Sequence, residues 1–322
     1  MEDPNFNEIS LEEWEGTKGL IDLDTIKKRI DESFINGKEK GEKTHFKPID
    51  DAQMFTWKRG FLYCITGVPG SGKSELINQL AMIKSYHDKW KWKVYSPESY
   101  PIEDSVDTFM HSLMGKSTDP DFANQMSVKE KDIAFKWVKE NFDFVDFDDM
   151  PTVDDLLSGA RHYDGIIIDP FNSVDDGESN ISKFLKNNLT KIKTASRKQN
   201  FAAVLIEHPH DANSLDETGN PKEPSQYTLN GGAMWRNKCD VIGVVHRPLM
   251  YSDPMATVVT FRTRKIKNQK LNGFPGVAEF NFNRGKNQYY WRGYNGQEIS
   301  GFEKDLTPMK DLYNGYDKEA GF

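Results

Sequence analysis

Apolar and polar positions follow one another along this chain in blocks that predict strands separated by helices. Short apolar runs predict strands at 61–66, 92–96, 142–147, 165–169, 201–206, 241–246, 257–264, 277–282 and 288–291. Apolar residues at helical spacing predict helices at 73–86, 101–114, 128–141, 152–161, 180–198 and 231–237. Helical segments separate the first five strands, which predicts a mostly parallel sheet covered on both faces. No helices separate the last strands, so these strands should join one edge of the sheet in antiparallel orientation.

The first part of the chain has a different pattern. Residues 1–50 are predicted to be a linker that precedes a core domain over 51–292, and 293–322 a tail rich in Gly, Asp and Lys. Asp22 can cap an amphipathic helix whose apolar positions are 23, 26, 30 and 34. A polar stretch with two glycines follows this helix. The helix therefore needs to dock on the core or on a neighbouring subunit.

Composition narrows the class of protein. Charged residues make up 29% and hydrophobic residues 37% of the 322 residues, as in a soluble globular protein, and no apolar run approaches the length of a membrane span. The acidic N-terminus lacks the apolar region of a signal peptide and the arginines of a transit peptide. Two cysteines cannot form a disulfide framework, so we expect a reducing, cytoplasmic compartment. The net charge of −8 counts mildly against a broad, sequence-independent nucleic-acid surface but allows a narrow basic lining.

A complete G-x-x-x-x-G-K-[ST] phosphate loop lies between the first predicted strand and the first predicted core helix. Its glycines let successive N–H groups turn toward phosphates, and the positive end of the helix points at the same anion. Lys73 should reach the β- and γ-phosphates, and the Ser74 hydroxyl should bind Mg²⁺. A chance glycine turn would lack this strand and helix. We therefore expect binding of a nucleoside triphosphate by Gly67, Val68, Pro69, Gly70, Ser71, Gly72, Lys73 and Ser74.

Two carboxylates follow predicted strands. Asp169 ends the apolar run 165–168, and a strand adjacent to the phosphate-loop strand would deliver it to the Mg²⁺ shell. Glu98 follows the strand at 92–96 and is a candidate to activate the attacking water. The alternative is that Glu98 is an acid at the start of a helix, stabilised by the helix dipole.

Further candidates lie at other strand ends. His208 follows a buried strand and could hydrogen-bond the γ-phosphate, although a lone histidine is more often structural. The run 262–267 contains four cations, and strand alternation groups Lys265 with Lys267 and Arg262 with Arg264. These cations could protect an edge strand. Alternatively, one of them could act in trans on the nucleotide of a neighbouring subunit.

Five motifs in order resemble the RecA-like motor domain of DnaB-type replicative helicases, most closely the Twinkle and phage primase-helicase branch. The resemblance covers residues 19–292 and rests on the phosphate loop, Ser96-Pro97-Glu98, Ile168-Asp169-Pro170-Phe171-Asn172, Glu207-His208-Pro209 and residues 231–240. It implies a RecA-like P-loop NTPase of the α/β class with a mostly parallel central sheet, helices on both faces and antiparallel strands at the C-terminal edge.

The resemblance also implies roles for single residues. Lys73 and Ser74 would bind phosphate and Mg²⁺, Asp169 would be the Walker B acid, Glu98 the catalytic carboxylate and His208 the γ-phosphate sensor. Loops 171–180 and 209–230 would face a central channel and contact single-stranded DNA. In the family a Lys-x-Arg motif acts in trans. Here the matching residues are Lys265-Ile266-Lys267, so a lysine stands where arginine is expected.

The sequence therefore predicts an ATP-dependent, Mg²⁺-using, ring-forming DNA helicase, hexameric and from a phage or phage-like system, in a bacterial or phage-infected cytoplasm. Its expected partners are single-stranded DNA, copies of itself and a separate primase. One alternative is a RecA-like ATPase that binds nucleic acid or a partner without unwinding. Another is a small-molecule kinase. The kinase is disfavoured because no lid-like arginine cluster follows the second strand and because it leaves residues 231–240 unexplained.

Overall fold

The structure is a computed structural model that describes residues 21–175, 177–210 and 214–302. The chain divides after Lys40 into an N-terminal unit and a second unit that begins at Gly41. Phe46 and Ile49, which precede residue 51, are fully buried in the hydrophobic core of the second unit.

The described part of the N-terminal unit contains the predicted amphipathic helix, α1 (Leu23–Asn36). Asp22 caps it by accepting hydrogen bonds from the backbone N–H groups of Asp24 and Thr25, both at 3.1 Å. No residue of α1 is buried within the described chain, and Phe34 is 89% exposed. Leu23 and Ile30, on the same apolar face, are 75% and 61% exposed among the described residues.

The described part of the second unit contains the other described helices and one ten-stranded sheet. Its helices are α2 (Lys47–Asp51), α3 (Lys73–Asp88), α4 (Ile102–Met114), α5 (Val128–Asn141), α6 (Val153–Leu157), α7 (Ile181–Gln199), α8 (Gly232–Lys238) and α9 (Gln269–Asn272), with 3-10 turns at Ala160–His162 and Phe171–Ser173. Its strands are β1 (Leu62–Thr66), β2 (Trp92–Tyr95), β3 (Phe142–Val145), β4 (Gly165–Ile168), β5 (Ala202–Glu207), β6 (Val241–His246), β7 (Val258–Ile266), β8 (Gly276–Asn283), β9 (Gln288–Arg292) and β10 (Glu298–Ile299).

The strand order is β10-β9-β8-β7-β6-β1-β5-β4-β2-β3. The six strands from β6 to β3 are parallel, and β7 to β10 add antiparallel at one edge. Hydrophobic clusters cover both faces of the sheet, as expected for parallel strands that are buried on both sides. The predicted α/β fold, a mostly parallel sheet with helices on both faces and antiparallel strands at one edge, is confirmed.

Three local predictions differ from the structure. The helix predicted over 152–161 ends at Leu157, because Gly159 takes a left-handed conformation (φ 69°) and a 3-10 turn follows it. The tail expected from 293 onward contributes β10, and Phe302 is buried. The Gln79 side chain fixes this segment by donating hydrogen bonds to the carbonyl oxygens of Tyr289 and Ser300. Residues 303–322 lie outside the described residues.

The third difference concerns Asp169. We expected its strand to be adjacent to β1, but β5 lies between β1 and β4. The order of the strands along the chain does not predict that β5 lies between β1 and β4, because β5 follows β4 in the sequence. The carboxyl ends of all three strands nevertheless point to the same edge of the sheet, since the strands are parallel.

Candidate functional site

The phosphate loop connects β1 directly to α3, which begins at Lys73. Gly72 adopts a left-handed conformation (φ 86°), and a Cβ atom at this position would overlap the Tyr289 hydroxyl group. Tyr289 is buried and donates a hydrogen bond to the Gly72 carbonyl oxygen at 2.8 Å. A Cβ atom at Gly67 would likewise overlap the Val245 carbonyl oxygen. The loop is therefore shaped by neighbouring strands as well as by its own sequence.

Lys73 is buried at the start of α3. Its ammonium group donates a hydrogen bond to the Val68 carbonyl oxygen at 3.3 Å and lies 3.4 Å from His208 Nδ1. Burial lowers the pKa of Lys73, and the acidic side chains of Asp169, Glu75, Glu98 and Glu207 oppose that effect. The hydroxyl group of Ser71 is buried without a hydrogen-bond partner among the described residues. A bound phosphate oxygen would satisfy such a donor.

The residues expected to hold Mg²⁺ lie close together. The Ser74 side chain is near enough to the Asp169 carboxyl group to lower its pKa, although the strand of Asp169 is not adjacent to β1. Burial raises the pKa of Asp169 to about 6, and Ser74 and Lys73 act in the opposite direction. A hydroxyl and a carboxylate are the hard oxygen donors that Mg²⁺ prefers, and a divalent cation would favour the ionised form of this buried acid. The donor set therefore fits Mg²⁺.

Glu98 follows β2 as a largely exposed side chain, and its Oε2 atom lies 3.9 Å from His208 Nε2. The helix that follows, α4, begins only at Ile102, and the acids of its first turn are Glu103 and Asp104. Interpreting Glu98 as an acid at a helix start is therefore wrong. Its carboxylate instead faces the phosphate loop together with His208.

His208 stands between Lys73 and Glu98, within 3.4 Å of one and 3.9 Å of the other. Burial lowers its pKa and so favours the neutral ring, and the Lys73 charge acts in the same direction. The preceding residue, Glu207, is also mostly buried, and burial raises its pKa to about 7. Both residues lie at the carboxyl end of β5, at the edge of the sheet where parallel α/β folds bind ligands.

One cavity of about 450 Å³ is lined by the phosphate loop together with Glu98 and His208. Two cations of this cavity were not predicted from the sequence. Arg247 follows β6 and donates to the Gly70 carbonyl oxygen at 3.3 Å, and Arg284, in the turn between β8 and β9, donates to the Pro254 carbonyl oxygen. The cavity lining comprises Pro69, Gly70, Ser71, Gly72, Lys73, Ser74, Glu75, Glu98, His208, Arg247, Ala256, Thr257, Val259, Phe282, Arg284, Asn287 and Tyr289.

Lys265 and Lys267 lie elsewhere. β7 runs antiparallel to β6, so Ile266 pairs with Val241 at the beginning of β6, the end opposite the phosphate loop. β1 separates that end of the sheet from the loop by roughly 16 Å at about 3.3 Å per residue. Lys265 donates to the carbonyl oxygens of Arg236 and Cys239, and Lys267 Nζ lies 3.3 Å from Asp240 Oδ1. The two lysines therefore do not reach the cavity that contains the phosphate loop.

The other two cations of this run form a separate pair. Arg262 Nε and Arg264 Nη2 contact Glu223 Oε1 at 2.7 and 3.0 Å, so the predicted grouping of the four cations is confirmed. Glu223 belongs to the acidic loop 209–230, and this pairing offsets part of the loop's negative charge. Asp211, within the same loop, lies outside the described residues, as does Asp176 of loop 171–180.

Comparisons with known proteins confirm the resemblance to DnaB-type helicase motors. No family model matches the chain. The chain is 28% identical over 288 residues to the Twinkle homolog protein, chloroplastic/mitochondrial, of Arabidopsis thaliana. The match covers 84% of this chain and 40% of that relative, so the chain spans well under half of the relative's length.

Two solved structures share the fold. One, described as an ATPase domain, matches with a TM-score of 0.67 at 15% identity, over 85% of this chain and 99% of that one. A DnaB-like replicative helicase, described with its interactions with primase, matches with a TM-score of 0.66 at 15% identity, over 86% of this chain and 69% of that one. Of the helices in residues 21–175, 177–210 and 214–302, none is long and apolar enough to span a membrane.

Proposed function

We propose that this chain is the motor of a ring-forming, ATP-dependent DNA helicase that couples ATP hydrolysis to movement along single-stranded DNA and to unwinding. The observation that carries the proposal is the convergence of Lys73, Ser74, Asp169, Glu98 and His208 at one edge of the sheet around the phosphate loop. The likeness to the Twinkle homologue adds support for a replicative helicase-type ATPase.

The substrate would be held by its phosphates. The N–H groups of residues 67–74 would surround the β-phosphate, and the Lys73 ammonium would contact the β- and γ-phosphates. Ser74 and Asp169 would hold Mg²⁺, which neutralises phosphate charge when bound. Arg247 already contacts the loop at Gly70 and would add a positive charge beside the triphosphate.

Hydrolysis would use the water-exposed carboxylate of Glu98. The carboxylate would accept a proton from water as the water oxygen bonds to the γ-phosphorus. The bond between that phosphorus and the bridging oxygen breaks, ADP leaves, and the proton passes from Glu98 to the released phosphate or solvent. His208 lies between Glu98 and Lys73 and would donate a hydrogen bond to a γ-phosphate oxygen, and so would respond to the loss of that phosphate.

Ring assembly would complete the site. Lys265 and Lys267 lie far from their own phosphate loop, as residues that act on a neighbouring subunit must. The apolar face of α1 would pack on an adjacent subunit in a hexamer. We further propose that residues 1–50 carry the linker that packs between subunits, that 51–292 carry the ATPase motifs, and that 293–322 carry the tail.

Loops 171–180 and 209–230 would face the channel and contact single-stranded DNA. A separate primase is the proposed protein partner, since one structural neighbour is described with its interactions with primase. We propose a phage or phage-like replication system as the source and the bacterial or infected-host cytoplasm as the location.

A second candidate is a RecA-like ATPase that binds nucleic acid or a replication partner without unwinding. The observation in its favour is the acidic loop 209–230, in which Asp216 and Glu217 are exposed, because exposed acids oppose contact with a phosphate backbone. An exposed acidic surface suits contact with a protein instead.

Three measurements test these proposals. ATP hydrolysis should increase with single-stranded DNA, the protein should displace a strand from a forked duplex, and its mass should reach that of a hexamer with ATP, Mg²⁺ and DNA. Stimulated hydrolysis without strand displacement would favour the second candidate.

The site assignment makes a separate prediction. Lys73→Ala should weaken nucleotide binding, and Asp169→Ala should mainly abolish Mg²⁺-dependent turnover, because one residue holds phosphate and the other holds the metal. Nucleotide titration and steady-state hydrolysis distinguish the two effects. Wild-type hydrolysis in either variant would contradict the assignment.

A further inference from the structure

A buried carboxylate gathers three cations at the end of the sheet opposite the phosphate loop. Asp240 precedes β6 and is 1% exposed. Its Oδ2 atom accepts a hydrogen bond from the Leu62 N–H at 3.0 Å. Its Oδ1 atom lies 2.9 Å from Lys193 Nζ, 3.3 Å from Lys267 Nζ and 3.8 Å from Arg197 Nη2. The single negative charge of Asp240 is therefore surrounded by three positively charged side chains.

The three cations differ in access to solvent. The Lys193 side chain is 12% exposed and also donates to the Lys238 carbonyl oxygen, so it is an internal partner of Asp240. Burial lowers its pKa to about 8, and the hydrogen bond to Asp240 opposes that effect. The Lys267 and Arg197 side chains are 39% and 58% exposed. The positive charge not offset by Asp240 is thus presented by Lys267 and Arg197.

Two different elements bring these residues together. Arg197 lies in the last turn of α7, and the buried side chains of Leu189, Ile192 and Ser196 fix the inner face of this helix. Lys267 follows β7, whose pairing with β6 contains a bulge at Arg264: Lys265 pairs with Ile242 and Thr263 with Gly243. A bulge changes the direction of the residues beyond it. Asp240, adjacent to both elements, then sets the separation of the two cationic groups.

We infer that Arg197 supplies the guanidinium that position 267 lacks, so that Arg197 and Lys267 together bind the γ-phosphate held by a neighbouring subunit. A guanidinium presents a planar fork that contacts two phosphate oxygens at once, whereas an ammonium is a point charge. Asp240 is the positioning residue of this pair. The inference rests on the proposed function, because it requires a ring in which one subunit completes the site of the next.

The decisive experiment moves the guanidinium from one position to the other. Arg197→Ala should lower DNA-stimulated ATP hydrolysis about 10²-fold or more, because a trans arginine contributes about 10³-fold or more to such reactions. Arg197→Ala combined with Lys267→Arg should recover most of the rate, because the fork returns to the same anion site. Arg197→Lys should give an intermediate rate. Lys198→Ala, at the next exposed position of α7, is the matched control and should hydrolyse ATP like the wild type.

Two readouts separate this role from a structural one. Arg197→Ala should unfold at the wild-type temperature, because Asp240 keeps Lys193 and Lys267 as partners, and it should bind ATP with wild-type affinity, because its phosphate loop is intact. Mixed with Lys73→Ala subunits, which carry an intact Arg197, it should regain hydrolysis. Failure of a mixture that co-assembles would overturn the inference, as would a wild-type rate for Arg197→Ala alone.

The Lys73→Ala variant separates failure of the inference from failure of the proposed function. If Lys73→Ala loses hydrolysis while Arg197→Ala keeps it, the proposed function stands and the inference is overturned. If the wild-type protein neither hydrolyses ATP nor assembles, both are overturned.

Discussion

Glu98 is an exposed carboxylate beside a half-buried histidine, and its proposed role depends on charge more than on shape. Glu98→Gln keeps the shape but removes the proton acceptor, so ATP should still bind while hydrolysis falls about 10²-fold or more. Glu103→Gln, in the first turn of α4, is the control and should leave the rate unchanged. Single-turnover hydrolysis and nucleotide binding, measured on the same variant, distinguish loss of the chemical step from loss of binding. Intact hydrolysis in Glu98→Gln would remove this residue from the mechanism.

Glu207 makes the stability of the fold depend on pH. Burial raises its pKa from 4.5 to about 7, so the folded state holds a proton that the unfolded state has released. Stability therefore falls as pH rises from about 4.5 to 7, and the full cost of burying the charge, about 3 kcal/mol at about 1.4 kcal/mol per pH unit, is present above pH 7.

Glu207→Gln should remove this cost while keeping the acceptor for the His208 N–H. The variant should match the wild type near pH 4 and exceed its free energy of unfolding by up to about 3 kcal/mol at pH 8. Urea unfolding at the two pH values measures the difference. Glu217→Gln, in an exposed loop position, is the control. An equal effect of Glu207→Gln at both pH values would argue against a raised pKa.

At the residue scale, local sequence could predict the groups that follow the carboxyl ends of parallel strands. Lys73, Asp169, Glu98 and His208 all obey that rule, and Arg247, which follows β6, obeys it too but was not recognised. Arg284 could not be found in this way. It lies in a hairpin turn whose position beside the phosphate loop depends on long-range pairing between β7 and β8.

At the scale of elements, α1 carries a prediction about assembly. Its side chains Leu23, Ile30 and Phe34 are 75%, 61% and 89% exposed, and burial of one such side chain contributes about 2 kcal/mol to a contact. Phe34→Asp should therefore weaken the ring without changing the fold. Mass measurement with ATP and DNA should show smaller species. Lys28→Asp, another exposed position of α1, controls for an added negative charge. Rings of unchanged stability would place the subunit contact elsewhere.

The spacing of apolar residues predicted helices and strands well where one face of the element is buried. It failed where the conformation of one residue or a long-range pairing sets the bounds of the element. The helix α7 (Ile181–Gln199) matches its predicted span closely, since its buried positions recur at helical spacing. The segment 152–161 has a similar apolar pattern, but Gly159 turns the chain and ends the helix early. The strand β10, only two residues long, depends on pairing with β9, which local sequence does not encode.

At the scale of the whole molecule, sequence predicted the linear order of strands but not their order in the sheet. Parallel pairing brings β5 between β1 and β4, and antiparallel pairing carries the end of β7 to the start of β6. The second pairing has the larger consequence. It separates Lys265 and Lys267 from the phosphate loop of their own subunit, so any contact they make with a nucleotide must involve another copy of the chain.

The two lysines should then behave differently. Lys265 donates hydrogen bonds to two backbone carbonyl oxygens, and burial lowers its pKa. Lys265→Ala should therefore lower the unfolding temperature. The Lys267 side chain is 39% exposed and its ammonium pairs with Asp240, so Lys267→Ala should lower DNA-stimulated hydrolysis with little loss of stability.

Subunit mixing tests the trans assignment of Lys267. Lys267→Ala protein keeps an intact phosphate loop, and Lys73→Ala protein keeps an intact Lys267, so each alone should hydrolyse ATP poorly. In mixed rings, interfaces that pair the intact loop with the intact lysine should recover activity. Lys265→Ala protein that retains hydrolysis once folded would identify Lys265 as an anchor of the β7 end. If Lys267→Ala and Lys73→Ala co-assemble without recovery, Lys267 does not act across the interface, and its pairing with Asp240 is its whole role.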